Sequence, residues 1–172
     1  TSPDAENWTI RSSGVSSVLS SIIWDGSQFV IAGSGGTILT SSDGISWTQQ
    51  TTGTTSWLYD LEWNGSIYVA GFLGATSLVM TSPDAINWTT RGFTGISDQV
   101  FDVTWNGSFF LLTTPNPGGS ARTSVDGINW VTQATGLGMW AHGMVWDGSE
   151  FIGIGTGGEA MLSSDGSNWN II

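Results

Sequence analysis

A short pattern, Ser-x-Asp-(Gly/Ala)-x-x-Trp, occurs five times along these 172 residues. Its copies are Ser2-Asp4-Trp8, Ser41-Asp43-Trp47, Ser82-Asp84-Trp88, Ser124-Asp126-Trp130 and Ser163-Asp165-Trp169. A second landmark, Trp-(Asp/Asn)-Gly-Ser, keeps step with it at Trp24, Trp63, Trp105 and Trp146. Each landmark Trp follows the preceding pattern Trp by 16 or 17 residues, within a period of 39 to 42. Self-similarity at that spacing leaves few folds open. One supersecondary unit, too thin to bury its own faces, must be stacked against copies of itself.

Residues 19–53 serve as the type unit. Leu19 to Trp24 is short and rich in β-formers, and Asp25-Gly26 is a hairpin signal, read as a two-residue type I′ turn. Ser27 to Ala32 alternates apolar and polar, Ser34-Gly35-Gly36 turns, and residues 37–40 and 45–50 supply two more strands around the Ser41–Asp43 pattern. No stretch shows a helical period. Four antiparallel strands per repeat is the blade of a β-propeller. The chain is therefore expected to be all-β and a single repeat domain over 1–172. An N-terminal outer strand spans 1–14, and blades run over about 18–53, 57–95, 99–136 and 140–172. Apolar residues at both parities, as in Phe29-Val30-Ile31, fit sheets covered on both faces.

The five patterns resemble the Asp-box, or bacterial neuraminidase repeat, of sialidase-like propellers. The likeness implies that the box is a structural turn between the third and fourth strands of a blade. Its Asp caps backbone N–H groups and its aromatic packs in the core. Asp4, Trp8, Asp43, Trp47, Asp84, Trp88, Asp126, Trp130, Asp165 and Trp169 are then structural rather than metal ligands, since Asx turns already account for the carboxylates. Sialidase activity does not carry over. The family's enzymes converge three arginines on a Tyr nucleophile, whereas Arg11 and Arg91 sit on outer-strand positions and Arg122 on a third strand. No catalytic residue, cofactor or metal is expected.

Composition narrows the partners. With three Arg, no Lys and a net charge of −11, neither a nucleic-acid backbone nor an anionic membrane surface is favoured. No apolar run reaches the length of a membrane helix. The absence of Cys removes disulfides and thiolate metal sites. Four Asn-x-Ser/Thr sequons, at Asn7, Asn64, Asn87 and Asn106, fall inside the landmarks, where a glycan would disturb tight turns. They read as repeat chemistry and lean towards a bacterial or viral source, extracellular or virion-associated. The first residue is Thr1 rather than Met, which fits a cleaved tag, a processed precursor or an excised piece.

The Asp/Asn-Gly turns are nearly constant among repeats, while the loops on the opposite face vary, which marks that face as the place for individual function. Counting back from each landmark Trp gives columns. Six residues back stand Val18, Trp57, Gln99 and Trp140; four back, Ser20, Tyr59, Phe101 and His142; three back, Ser21, Asp60, Asp102 and Gly143. One rim thus offers Trp57, Trp140, Tyr59, Asp60, Asp102 and His142, which are aromatic faces beside carboxylates and suit a sugar ring. The alternative is that both Trp plug the channel mouth. The expected function is a non-enzymatic recognition module, with carbohydrate as the ligand class. A structural or protein-docking propeller, whether an assembly component or an engineered repeat, is the alternative, and a sialidase-like hydrolase is a third reading.

Five boxes imply five fourth strands for four sets of inner strands. Either the N-terminal strand pairs with the last blade and closes a four-bladed ring, or the chain joins another copy of itself into a homo-oligomer through the duplicated outer strand.

Overall fold

The structure is a computed structural model that describes residues 1–72, 78–92, 99–114, 120–134 and 141–172. It holds four four-stranded antiparallel meanders. The first contains β1 (Leu19–Trp24), β2 (Phe29–Gly33), β3 (Ile38–Ser41) and β4 (Thr48–Gln50). The second contains β5 (Leu58–Trp63), β6 (Tyr68–Phe72), β7 (Leu78–Ser82) and β8 (Thr89–Gly92). The third contains β9 (Asp102–Trp105), β10 (Phe110–Thr114), β11 (Ser120–Ser124) and β12 (Val131–Ala134). The fourth contains β13 (Ala141–Trp146), β14 (Phe151–Gly155), β15 (Ala160–Ser163) and β16 (Asn170–Ile171). The first strands pack side by side, β1 on β5, β5 on β9 and β9 on β13, and form the inner wall. The fold is a β-propeller arrangement of blades.

The core lies between the sheets. Val30, Ala32 and Ile38 from one face of the first blade meet Leu58, Leu61, Tyr68 and Met80 of the second. Val69 and Val79 from the second blade's other face meet Val100, Val103, Phe110 and Leu112 of the third. This explains apolar residues at both parities, because a sheet that stands between two others is covered on both faces.

The landmark hairpin differs from the expected two-residue turn. Trp24 pairs with Phe29, so the loop has four residues, and only Gly26 has positive φ. The Asp25 carboxylate accepts the N–H groups of Ser27 (2.6 Å) and Gln28 (2.8 Å), which makes an Asx turn. Asn64, Asn106 and Asp147 repeat it. This is why Asp and Asn interchange at that position.

The boxes are the turns between third and fourth strands. In each, one carboxylate oxygen accepts two backbone N–H groups, as Asp84 does from Ile86 (2.9 Å) and Asn87 (2.8 Å), while Ser82 Oγ donates to the same oxygen. The fourth residue is left-handed, with φ of 69° at Gly44 and 60° at Ala85, which restricts it to the smallest side chains. The box turn reaches Trp47, so the fourth strand begins later than expected, at Thr48.

A feature absent from the sequence reading joins the two landmarks. In each blade the aromatic five residues after the landmark Trp lies between that Trp and the box Trp. Ring-centroid distances are 4.6 and 6.4 Å at Phe29, 4.0 and 6.2 Å at Tyr68, 4.6 and 6.4 Å at Phe110, and 4.7 and 6.5 Å at Phe151. Trp88, Trp130 and Trp169 also donate their indole N–H to the box residue three before, at 2.9 to 3.2 Å.

The four-bladed closure is not what the structure shows. Among the described residues no packing comparable to that between neighbouring inner strands joins β13 to β1. The outer edge of β15 is taken by β16, through Met161–Ile171 and Leu162–Asn170. Residues 1–13 instead fold as a small box hairpin in which Thr1 and Thr9 exchange two hydrogen bonds of 2.7 Å. This hairpin lies against the first blade across a groove of about 750 Å³ that includes Trp8, Ile10, Leu19, Ile22 and Trp47. Trp8 therefore departs from the expected core role. With no inner strands of its own blade to cover it, it is 71% exposed.

Candidate functional site

The inner strands carry a bulge at one position. Pairing of β1 with β2, β5 with β6 and β13 with β14 shifts register between Leu19 and Ser21, Leu58 and Asp60, and Ala141 and Gly143. The extra residues are Ser20, Tyr59 and His142, the column four before the landmark, to which Phe101 also belongs. A bulge re-aims its side chain away from the sheet face. Here it builds an aromatic strip across three blades. Trp57 stacks on Tyr59 (5.1 Å, interplanar 6°), Tyr59 meets Phe101 edge-on (5.5 Å, 79°), and Phe101 lies 5.4 Å from His142. His142 is exposed and the other three are half-buried. The Trp57 indole nitrogen is buried and without a partner among the described residues. Trp140 lies outside the described residues, as do residues 73–77, 93–98, 115–119 and 135–139 of the variable loops.

The carboxylates sit deeper. Asp60, Glu62 and Asp102 face a cavity of about 320 Å³ bounded by the inner strands. They bind each blade to the next. Asp60 accepts the Val103 N–H (2.9 Å) and the Ser21 hydroxyl (2.8 Å), and Asp102 accepts the Met144 N–H (3.0 Å) and the Thr104 hydroxyl (2.9 Å). Glu62 accepts the Trp63 and Trp105 N–H groups at 2.9 and 3.3 Å. Each oxygen of Asp60 and of Asp102 thus already accepts a hydrogen bond inside the fold, which leaves less capacity for a sugar hydroxyl. Glu62 was missed. Its signal is the column one before the landmark, on the same strand face as Asp60. Burial raises the carboxyls of Asp60 and Glu62 above the usual range, and burial with the neighbouring Asp60 charge pushes Asp102 up to about 7.

The box carboxylates are the opposite case. The Ser46 and Ile45 N–H groups hold Asp43 at about 2, and those of Asn168 and Ser167 hold Asp165 at about 2. Each box with Asn at its sixth residue also spends its second carboxylate oxygen, as Asp84 does on Asn87 Nδ2 at 2.8 Å. Among the described residues no group of three His, Asp or Glu is placed to hold a metal ion. The melting temperature is accordingly expected to be unchanged by millimolar EDTA. A drop of several degrees, restored by calcium, would show that the boxes hold a cation.

The arginines are dispersed. Arg11 Nε donates to Thr1 Oγ1 (3.1 Å), Arg91 Nε on β8 donates to Thr81 Oγ1 (3.0 Å), and Arg122 is buried on β11. Among the described residues no helix is long and apolar enough to cross a membrane.

No family model matches the chain, and no curated protein matches it. Solved structures do. YCF48 from Cyanidioschyzon merolae superposes with a TM-score of 0.70 at 16% identity, covering 90% of this chain and 56% of that one. A nidogen/laminin complex gives 0.71 at 15%, covering 90% and 64%. YCF48 bound to D1 peptide gives 0.61 at 17%, covering 90% and 52%. The chain thus spans between about half and two thirds of these three chains.

Proposed function

We propose that the chain is a non-enzymatic recognition module that holds an extended polypeptide segment along its rim. The observation that carries this reading is the continuous strip Trp57–Tyr59–Phe101–His142. A strip of half-buried rings offers flat apolar contact at low cost in side-chain entropy, which is what peptide-binding surfaces use. A propeller of similar fold has been solved with a peptide. The arginines are dispersed and the inner-wall carboxylates are tied to backbone N–H groups, which supports a binding role over a hydrolytic one.

Carbohydrate is the second reading, favoured by the exposed edge of the strip at His142. It loses support because Asp60 and Asp102, its expected hydroxyl acceptors, already bind backbone N–H groups. The test is selection against a random-peptide library alongside a glycan array, followed by Tyr59→Ala. Tyr59 is the ring that touches both Trp57 and Phe101. Loss of at least about tenfold in affinity, with a melting shift of only a few degrees, is the expected result. Binding that survives Tyr59→Ala and His142→Ala would remove the rim from consideration. Hits confined to the glycan array would exchange the first reading for the second.

A further inference from the structure

The blades use one interface three times; one half of it lies uncovered at the fourth blade, and the other half, at the first blade, is covered only in part, by residues 1–13. Call the tail the face that Val30, Ala32 and Ile38 turn toward the second blade, and the head the face that receives it. At the fourth blade the tail positions are Ile152, Ile154, Ala160 and Leu162. None of these is buried, and Ile154 is 61% exposed. At the first blade the head includes Leu19 and Ile22, the latter 58% exposed. Terminal repeats of a solitary array carry polar outer faces. These two are apolar, and each matches the other's partner inside the chain.

The correspondence is residue by residue. Eight residues after the landmark Trp stand Ala32, Gly71, Thr113 and Ile154; two before it stand Ile22, Leu61, Val103 and Met144. Within the chain the first kind of position packs on the second kind in the next blade. Ala32 and Leu61 share a cluster, and a Cβ at Gly71 would stand 3.3 Å from Val103 Cγ2. Continued by one step, Ile154 falls on Ile22 of another copy.

We propose that two copies join head to tail, twice, into one closed ring of eight blades. Eight lies at the upper end of the range such rings adopt, and a third copy would exceed it. A heterologous contact of this kind closes when its rotation divides the circle. The inner wall, a half-open arc in one chain, becomes a complete channel only with the second copy. Residues 1–13 hold the place that the partner's β15–β16 hairpin takes. Among the described residues every hydrogen bond they make ends within residues 1–15, so the segment is a displaceable cover.

One element of the internal interface is missing at the new junction. Asp60 and Asp102 each accept the N–H of the second kind of position in the next blade, and the corresponding residue of the fourth blade is Gly143. A Cβ there would meet only the Ile154 side chain, Cγ1 at 3.7 Å and Cδ1 at 3.8 Å, so a side chain fits. Gly143→Asp therefore supplies the carboxylate that Ile22 N–H lacks.

Sedimentation equilibrium and light scattering test this, and the proposal does not rest on the rim reading. The expected mass is twice the chain's 18.1 kDa. Ile22→Lys and Ile154→Lys, at sites more than half exposed in one copy, should each keep the fold by circular dichroism and raise the dissociation constant at least about a hundredfold. Gly143→Asp should tighten the dimer about tenfold, the worth of a charge-assisted hydrogen bond. Deleting residues 1–13 should also tighten it. A monomer at about 100 μM, tenfold above a weak interface's dissociation constant, would overturn the proposal. So would a dimer indifferent to either Lys variant, a Gly143→Asp dimer no tighter than the parent, or loss of the dimer on deleting 1–13.

Discussion

Phe110→Ala is expected to destabilise the chain by about 3–5 kcal/mol, the range for removing a fully buried aromatic from a core that cannot collapse. Phe110 is wholly buried, with Trp105 at 4.6 Å on one side and Trp130 at 6.4 Å on the other. It also packs with Val69 and Val79 of the second blade, so its ring fills the seam between two sheets. Two hydrogen-bonded sheets cannot close on the space left behind, and both indoles lose a neighbour. Phe29 holds the same position in the first blade but is only half-buried, because the face it serves has no blade beyond it. Phe29→Ala should cost about 1–2 kcal/mol in dilute, monomeric protein, in proportion to the smaller area buried. Urea titrations followed by tryptophan fluorescence compare the two. Equal losses would mean that stability does not reside between blades.

That contrast marks how far the chain could be read without coordinates. The five boxes and four landmarks gave four strands per repeat, the blade order and the limits of β1 to the residue, because a repeat tests each assignment several times over; the outer strand expected over 1–14 is a turn and extended chain instead. What they could not give was the middle ring of each triplet. Phe29, Tyr68, Phe110 and Phe151 look like ordinary inward strand residues, and only the curvature of the sheet brings a Trp to either side of them. The hairpin was misread for a related reason. Asp25-Gly26 carries the composition of a two-residue turn, but its carboxylate can also capture the next two N–H groups, and composition does not decide which geometry wins. At the rim, the column of Tyr59, Phe101 and His142 was legible from spacing, and the bulge that presents Tyr59 and His142 was not. Asp60 and Asp102 were legible as neighbours of that rim. Their attachment to Val103 and Met144 was not, since it depends on how one inner strand leans on the next.

The same carboxylates give the second large effect. The melting temperature is expected to fall as the pH rises from about 4 to about 7. Asp102 has an ordinary carboxyl pKa when unfolded and is pushed up to about 7 in the fold, first by burial and then by the charge of Asp60, with Glu62 adding to it. Asp60 and Glu62 move in the same direction, mainly through burial. Between those two pH values the native state holds protons that the unfolded chain has released. The stabilisation is therefore fully present below the unfolded value and is lost as the pH passes the folded one. The box carboxylates act in another window. Asp43 and Asp165 are held at about 2, so their contribution is present above pH 4 and is lost only as the pH falls through that value. Asp102→Asn separates the terms. The amide can still accept the Met144 N–H through its oxygen and donate to Thr104 Oγ1, whose hydroxyl in turn lies 3.3 Å from the Met144 carbonyl oxygen. The variant should match the parent near pH 4 and exceed it near pH 8 by on the order of 1–3 kcal/mol, because it keeps the hydrogen bonds without charging a half-buried group beside Asp60. Thermal melts of both proteins at half-unit steps between pH 4 and 8 decide the matter. A parent that grows more stable toward pH 8, or a variant with an unchanged slope, would mean that these carboxylates are charged at no cost and that water reaches the inner wall freely.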